Sequence, residues 1–326
     1  MEKPTVGILI AQLGTPAAPT ARALKPYLRE FLSDPRVIET HRIAWWFVLN
    51  FLVLPRRPRV SAALYRRVWT ERGSPLLFHT EDQARALGAA LGETIKVEFG
   101  MRYGSPPASA ALERFRQAGV ERVLVFPMFP QYSGATTGSV YDAVFAHYGQ
   151  QRLVPALRFV APYYKHPAYI DALATIARED IAHMPWKPEK ILISFHGIPK
   201  RYVDSGDVYQ YHVEETTHAL TTALELGPSD YELCYQSRFG KEEWLQPYTS
   251  ERLVELAHSG VKRIAAICPG FTTDCLETID EIGHEAKKEF QEAGGEDLRL
   301  VPCPNAHPAW IEAMATIARE ELSGWI

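Results

Sequence analysis

Short runs of β-branched and apolar residues alternate with longer amphipathic stretches along this chain, and the alternation occurs twice. That rhythm restricts the fold sharply. Strands separated by helices pair in parallel, and the helices cover the faces of the sheet. In the first half the pattern predicts strands at residues 6–11, 95–100, 123–127 and 157–161. Helices are predicted at 21–32, 61–70, 81–91, 107–118 and 137–148. In the second half strands fall at 191–195, 231–235, 264–267 and 298–302, with helices at 169–181, 209–226, 250–259, 276–293 and 308–322.

The expected architecture is therefore α/β: two Rossmann-like lobes, each with a central parallel sheet of about four strands flanked by helices. The lobes are placed at residues 1–162 and 163–305, with the boundary near 162–167. The closing helix, 306–326, is expected to pack back on the first lobe. The first strand of each lobe runs into a similar turn, LGTP at 13–16 and HGIP at 196–199. Open α/β sheets bind ligands at the carboxyl ends of their strands. The polar residues that follow strands therefore carry weight: Gln12, Arg102, Tyr103, His196, Gln236, Ser237, Arg238, Asp274 and Glu277. Two such lobes face to face would enclose a cleft.

Composition excludes several classes. Of 326 residues, 46% are apolar and 23% charged, which describes a folded chain rather than a disordered one. A net charge of -4 gives no reason to expect a nucleic-acid partner. No dinucleotide fingerprint or phosphate loop follows a strand, and GAALGE at 88–93 lies in a helical pattern without the required spacing. There is no HExxH pair, no Cys-x-x-Cys and no nucleophile elbow. The opening MEKPTVGILIAQLG has a single lysine, a brief apolar run and no small-residue cleavage pattern, so export is not expected. Cys234, Cys268, Cys275 and Cys303 are too few for a disulfide scaffold and fit a reducing compartment. Cys234 and Cys303 read as small buried side chains.

One stretch departs from the pattern. IAWWFVLNFLVL, residues 43–54, is followed at once by PRRPR. It is too short to span a bilayer as a helix. It is either a buried core helix or an exposed apolar lip that touches a membrane or an apolar ligand. Two tryptophans beside an arginine cluster suit an interface.

Two features could carry chemistry. His196 ends a buried strand and is followed by Gly and Pro, which hold a tight turn. It is either a turn residue bonded to its own loop, or a proton acceptor or metal ligand, since imidazole suits both tasks near neutrality. ICPGFTTDCLETIDEIG, residues 267–283, is the densest acidic run after a strand, with Thr273 or Asp274 as an N-cap and Glu277 in the first helical turn. At α-helical spacing Glu277, Asp280, Glu281 and Glu285 share one broad face. Such a row is either an exposed helix face or a path for a hard cation or protons.

Taken together, the motifs resemble the ferrochelatase family, in its Gram-negative bacterial, protoporphyrin-using form. The resemblance covers nearly the whole chain. It rests on QLGTP (12–16), GMRYGSP (100–106), FPMFPQYS (126–133), SFHGIP (194–199), CYQSRFG (234–240) and PGFTTDCLETIDEIG (269–283). It implies a chelatase-like fold with the active-site cleft between lobes, and insertion of Fe2+ into protoporphyrin IX with release of two protons. By the same resemblance His196 and Glu277 face each other across the ring and meet the metal, Asp274 supports them, and Asp280 and Glu281 form a relay. Leu13, Tyr65, Arg102, Tyr103, Tyr235 and Phe271 line the ring, and Arg57 and Arg59 meet its propionates. Residues 43–60 become a lip able to rest on the inner-membrane surface of a monomeric cytoplasmic enzyme. The resemblance implies no required cofactor and no [2Fe-2S] cluster. The C-terminal cysteines of the animal form are missing, and Glu277 stands where a second nearby cysteine would be needed. The competing readings are a coproporphyrin III or other divalent-metal chelatase, and a porphyrin- or haem-binding protein without activity.

Overall fold

The first strand, β1 (Val6–Thr15), is buried along almost its whole length, because a parallel strand covered on both faces must be apolar throughout rather than alternating. The structure is a computed structural model that describes residues 5–326. Residues 1–4, on which the expectation about export partly rests, lie outside the described residues. In chain order β1 is followed by α1 (Ala21–Ser33), α2 (Arg42–Val48), α3 (Arg57–Val68), α4 (Pro75–Leu91), β2 (Ile95–Gly104), α5 (Ala108–Ala118), β3 (Arg122–Pro127), α6 (Ser139–Tyr148) and β4 (Ala156–Phe159). There follow α7 (Pro167–Ala182), β5 (Lys190–His196), α8 (Lys200–Asp204), α9 (Tyr209–Ala223), β6 (Tyr231–Gln236), α10 (Thr249–His258) and β7 (Arg263–Ile267). The chain closes with α11 (Lys287–Glu292), β8 (Asp297–Leu300) and α12 (Pro308–Glu321).

Among the described residues, eight strands form two four-stranded sheets, ordered β2-β1-β3-β4 and β6-β5-β7-β8, and every strand pairing is parallel. The two-lobed α/β expectation holds, and both sheets share one strand order. The chain divides into two units. One contains residues up to Phe129, Ser133–Ala161 and Met314–Ile326, and the other Pro130–Tyr132 and Pro162–Ala313.

Each unit has its own core. In the first, Leu9 and Val125 of the sheet pack with Leu112, Phe115 and Val144 of the helices. In the second, Leu192 and Ile264 pack with Leu253, Ile282 and Phe290. Cys234 and Cys268 belong to this second core, and all four cysteines are buried free thiols. The paired turns LGTP and HGIP share a physical reason for their glycine. A Cβ on Gly14, at φ +124°, would lie 1.8 Å from the Tyr103 carbonyl oxygen of the neighbouring strand. One on Gly197 would approach the Gln236 carbonyl to 3.1 Å.

The apolar stretch is helical: α2 runs into a π-helical turn, Leu49–Val53. Leu49 and Leu54 are buried, whereas Ile43, Trp46, Phe47 and Phe51 are 67, 55, 54 and 62% exposed. It is thus an outward-facing apolar surface, not a core helix. Trp46, Phe47 and Phe51 pack on one another, with ring centroids 5.0 to 6.1 Å apart. The base is pinned where Trp45 Nε1 donates to the Leu32 carbonyl at 2.6 Å and Arg42 donates to that of Ser33. A cavity of about 390 Å³ opens there, lined by Ser33, Arg42, Ile43, Trp45, Trp46 and Leu49.

Candidate active site

In the second sheet the strand order reverses between β5 and β7, and ligands of open α/β sheets bind beyond the carboxyl ends at such a switch point. His196 is the last residue of β5, and the segment from Cys268 to Glu277 leaves β7. Both sequence candidates are therefore placed by the strands on either side of the reversal.

His196 is half-buried and held from two directions. Its Nδ1 lies 2.6 Å from the carbonyl oxygen of Gly197. A carbonyl only accepts, so Nδ1 carries the proton and Nε2 of the neutral ring keeps its lone pair. The His196 carbonyl accepts the hydroxyl of Tyr209 at 2.8 Å, and the Trp244 ring lies 6.3 Å away, tilted by 41°. Tyr209 had no functional signal in the sequence, where it reads only as the start of a helix.

The acidic run differs from its expected geometry. Glu277–Ala286 is a ten-residue π-helix rather than an α-helix. A π-helix bonds i to i+5 and so holds more than four residues in each turn, a form concentrated at functional sites. With the wider turn, residues four apart stay nearly in line, whereas residues three apart are swung away. Glu277, Glu281 and Glu285 hold a row, and Asp280 turns inward to 2% exposure. This corrects the reading of four carboxylates on one face, which assumed α spacing.

The row is braced from the end of β6. Gln236 Nε2 donates to the Glu277 carbonyl at 2.7 Å. Ser237 donates its backbone N–H to Glu281 Oε1 at 2.5 Å and its hydroxyl to Oε2 at 2.6 Å. Burial pushes the Glu281 carboxyl above its ordinary range, and the negative Glu277 adds to this. The Ser237 hydrogen bonds pull the other way, as does the His196 ring whenever it carries a second proton, without cancelling it. His196, Glu277 and Glu281 are thus electrostatic neighbours. The buried Cys275 thiol is likewise pushed well up, first by burial and then by the Glu277 carboxylate beside it.

Asp274 does not cap the helix. None of its acceptor bonds comes from a backbone N–H of the first helical turn. Asp274 instead accepts from Asn305 Nδ2 at 2.7 Å, from the Cys303 N–H at 3.2 Å and from the Thr278 hydroxyl at 3.2 Å. It therefore ties the start of the π-helix to the loop after β8. Tyr235 is buried, and burial raises its phenol. Phe271 is partly buried against the core of this unit. Among the described residues, no group of three or more His, Cys, Asp and Glu side chains is arranged to hold a metal ion.

In the first unit, Arg102 and Tyr103 converge on a residue with no sequence signal. Asp34 accepts from Arg102 Nη2 at 2.6 Å, the Tyr103 hydroxyl at 2.7 Å, the Ser139 hydroxyl at 2.6 Å and the Arg36 N–H at 2.8 Å. Burial alone would raise its carboxyl, but the bonds from Ser139, Tyr103 and Arg36 and the charge of Arg102 hold it below its ordinary range. Tyr103 is fully buried, so its hydroxyl serves this network. Tyr65 is buried edge-on to Trp69, Leu13 is half-buried, and Arg57 and Arg59 are exposed at the start of α3.

The sequence profile of one family, Ferrochelatase, matches residues 5–322. The ferrochelatase of Herminiimonas arsenicoxydans is 48% identical, with 99% of this chain and 88% of that protein covered. That of Teredinibacter turnerae is 47% identical, covering 99% and 89%. Among solved structures, SirB from Bacillus subtilis with Fe3+ superposes with a TM-score of 0.57 at 14% identity, over 98% of this chain and 97% of that one. CbiX, described as the terminal enzyme of sirohaem biosynthesis in denitrifying bacteria, gives 0.52 at 14% identity over 96% and 98%. At such identities these two likenesses speak for the chelatase-like fold alone.

Proposed function

This chain belongs to the ferrochelatase family and inserts iron into a porphyrin, and on that premise we propose that the ring is protoporphyrin IX, acted on by His196 and Glu277. Metallation removes two pyrrole N–H protons as Fe2+ arrives. A planar ring keeps its nitrogen lone pairs in the ring plane, so binding that distorts the macrocycle favours the reaction. His196 Nε2 accepts a pyrrole proton. The observation that carries this assignment is the bond from Nδ1 to the Gly197 carbonyl, which leaves Nε2 as the free base.

Glu277, with Glu281 behind it, guides the cation toward the ring or takes the second proton away. The family resemblance also implies Asp280 in this relay; its burial beside the row makes Glu277 and Glu281 the outer members of that path. Asp274 acts through the backbone, bracing the start of the π-helix. Leu13, Tyr65, Arg102, Tyr235 and Phe271 line the ring, with Tyr103 acting through Arg102. Arg57 and Arg59 pair with the propionates, for which a guanidinium offers two parallel donors.

The exposed apolar lip favours protoporphyrin IX over the more polar coproporphyrin III and suits contact with the inner-membrane surface. No helix among the described residues is long and apolar enough to cross a membrane. We take the protein to be a cytoplasmic monomer that touches the membrane peripherally and uses no resident cofactor.

Anaerobic Fe2+ insertion by the purified protein, with the two porphyrins compared, tests this reading. Higher kcat/KM on protoporphyrin IX is expected. A preference for coproporphyrin III overturns the substrate choice, and ring binding without metallation overturns the enzymatic role.

A further inference from the structure

Ser237 has a left-handed backbone, with φ +67°, a region that residues other than glycine enter rarely. Such a conformation persists only where the surroundings hold it, and it gathers where function requires it. Here it turns the backbone N–H and the hydroxyl of one residue to the same side. Both reach the Glu281 carboxylate, one oxygen each. A glycine would adopt this turn with less strain. The serine adds what glycine lacks, the second charge-assisted hydrogen bond.

The neighbouring Gln236 grips the same helix. Its Nε2 holds the Glu277 carbonyl and lies 3.5 Å from Glu281 Oε2, while its Oε1 accepts the Ser194 hydroxyl at 2.9 Å. Strand β5, which ends at His196, is thereby linked to the acidic row through the end of β6. Glu281 needs such a hold. It is a half-buried carboxylate beside a second one, and both influences favour its protonation or withdrawal.

We propose that Ser237 is a positioning residue for metallation: it fixes the Glu281 carboxylate behind Glu277, on the route a divalent cation takes to the ring. This rests on the reading of the Glu277–Glu281 row as that route. Ser237 touches neither ring nor metal and acts only through Glu281.

The test is steady-state kinetics with separate titrations of Fe2+ and porphyrin. Ser237→Gly keeps the turn and the N–H bond and removes the hydroxyl, so it folds even if Ser237→Ala does not. Its KM for Fe2+ is expected to rise about 10-fold, the loss of one hydrogen bond to a charged group. The KM for porphyrin and the kcat at saturating Fe2+ stay unchanged. Glu281→Gln raises the KM for Fe2+ at least as much, and adding Ser237→Gly to it has no further effect.

An unchanged KM for Fe2+ in Ser237→Gly overturns the proposal. So do independent, multiplying effects in the double variant, and so does an equal rise in both KM values, which would mark a merely structural role. If Ser237→Gly and Glu281→Gln are both normal while His196→Ala is inactive, the cation route fails with this proposal and the role of His196 stands. Turnover by His196→Ala would instead sink the reading of the site itself.

Discussion

The hydroxyl of Tyr209 donates to the carbonyl oxygen of His196 at 2.8 Å, from a phenol that burial pushes well above its ordinary range. A phenol that cannot ionise at neutral pH is a permanent donor. It fixes the end of β5 on one side while Gly197 fixes the imidazole on the other. Tyr209→Phe keeps the ring and removes only this bond. It should lower kcat with little change in KM for porphyrin, and lower unfolding stability by about 1 kcal/mol. An unchanged kcat in a stably folded variant would exclude a positioning role.

His196→Ala removes the proposed base. Because the side chain is half-buried and its bond is to its own loop, the fold should survive. Loss of a positioned proton acceptor lowers turnover by about 10² to 10⁴. Porphyrin binding, followed by fluorescence, should persist. Near-normal turnover would remove His196 as the base.

Asp34→Ala leaves Arg102, Tyr103 and Ser139 without their common acceptor. Breaking a buried ion pair from one side costs about 3–5 kcal/mol, which denaturant unfolding would register. The effect has a pH signature. The folded carboxyl titrates below its ordinary value, so its contribution is complete above that value and is lost as the pH falls through the folded one. The stability gap between wild type and variant should therefore narrow below about pH 4. A gap that widens in acid would contradict the assignment.

Trp46, Phe47 and Phe51 contact one another outside the core. Replacing all three by serine should leave the melting temperature nearly unchanged, since little buried area is lost. Partitioning onto anionic phospholipid vesicles should fall by at least about tenfold, because it scales with the apolar area inserted. Equal partitioning of wild type and variant, or no partitioning by the wild type, would overturn the lip as a membrane contact.

Much of the site was legible because its members sit at strand ends. His196, Gln236, Ser237 and Glu277 each follow a predicted strand, and the switch-point rule gives such positions weight. Asp34 and Ser139 carried no signal. They lie 105 residues apart and meet only through folding, and each alone reads as an ordinary residue at a helix boundary. Asp274 was visible as an acid near a helix start, but its partners Cys303 and Asn305 follow a strand that comes later in the chain.

The sequence by itself determined the α/β class, the two four-stranded repeats and the family, because strand and helix periodicities and ordered motifs are local. It also marked the apolar stretch at 43–54 as abnormal. Tertiary structure decided three things: the strand order that sets β5 beside β7, the outward orientation of the aromatic lip, and the π geometry that keeps Glu277 and Glu281 in line while burying Asp280. The physical reason is common to all three. Each depends on which distant segment covers a face or supplies a donor, as Gln236 and Ser237 do for the acidic row, and such pairings leave no trace in residue spacing.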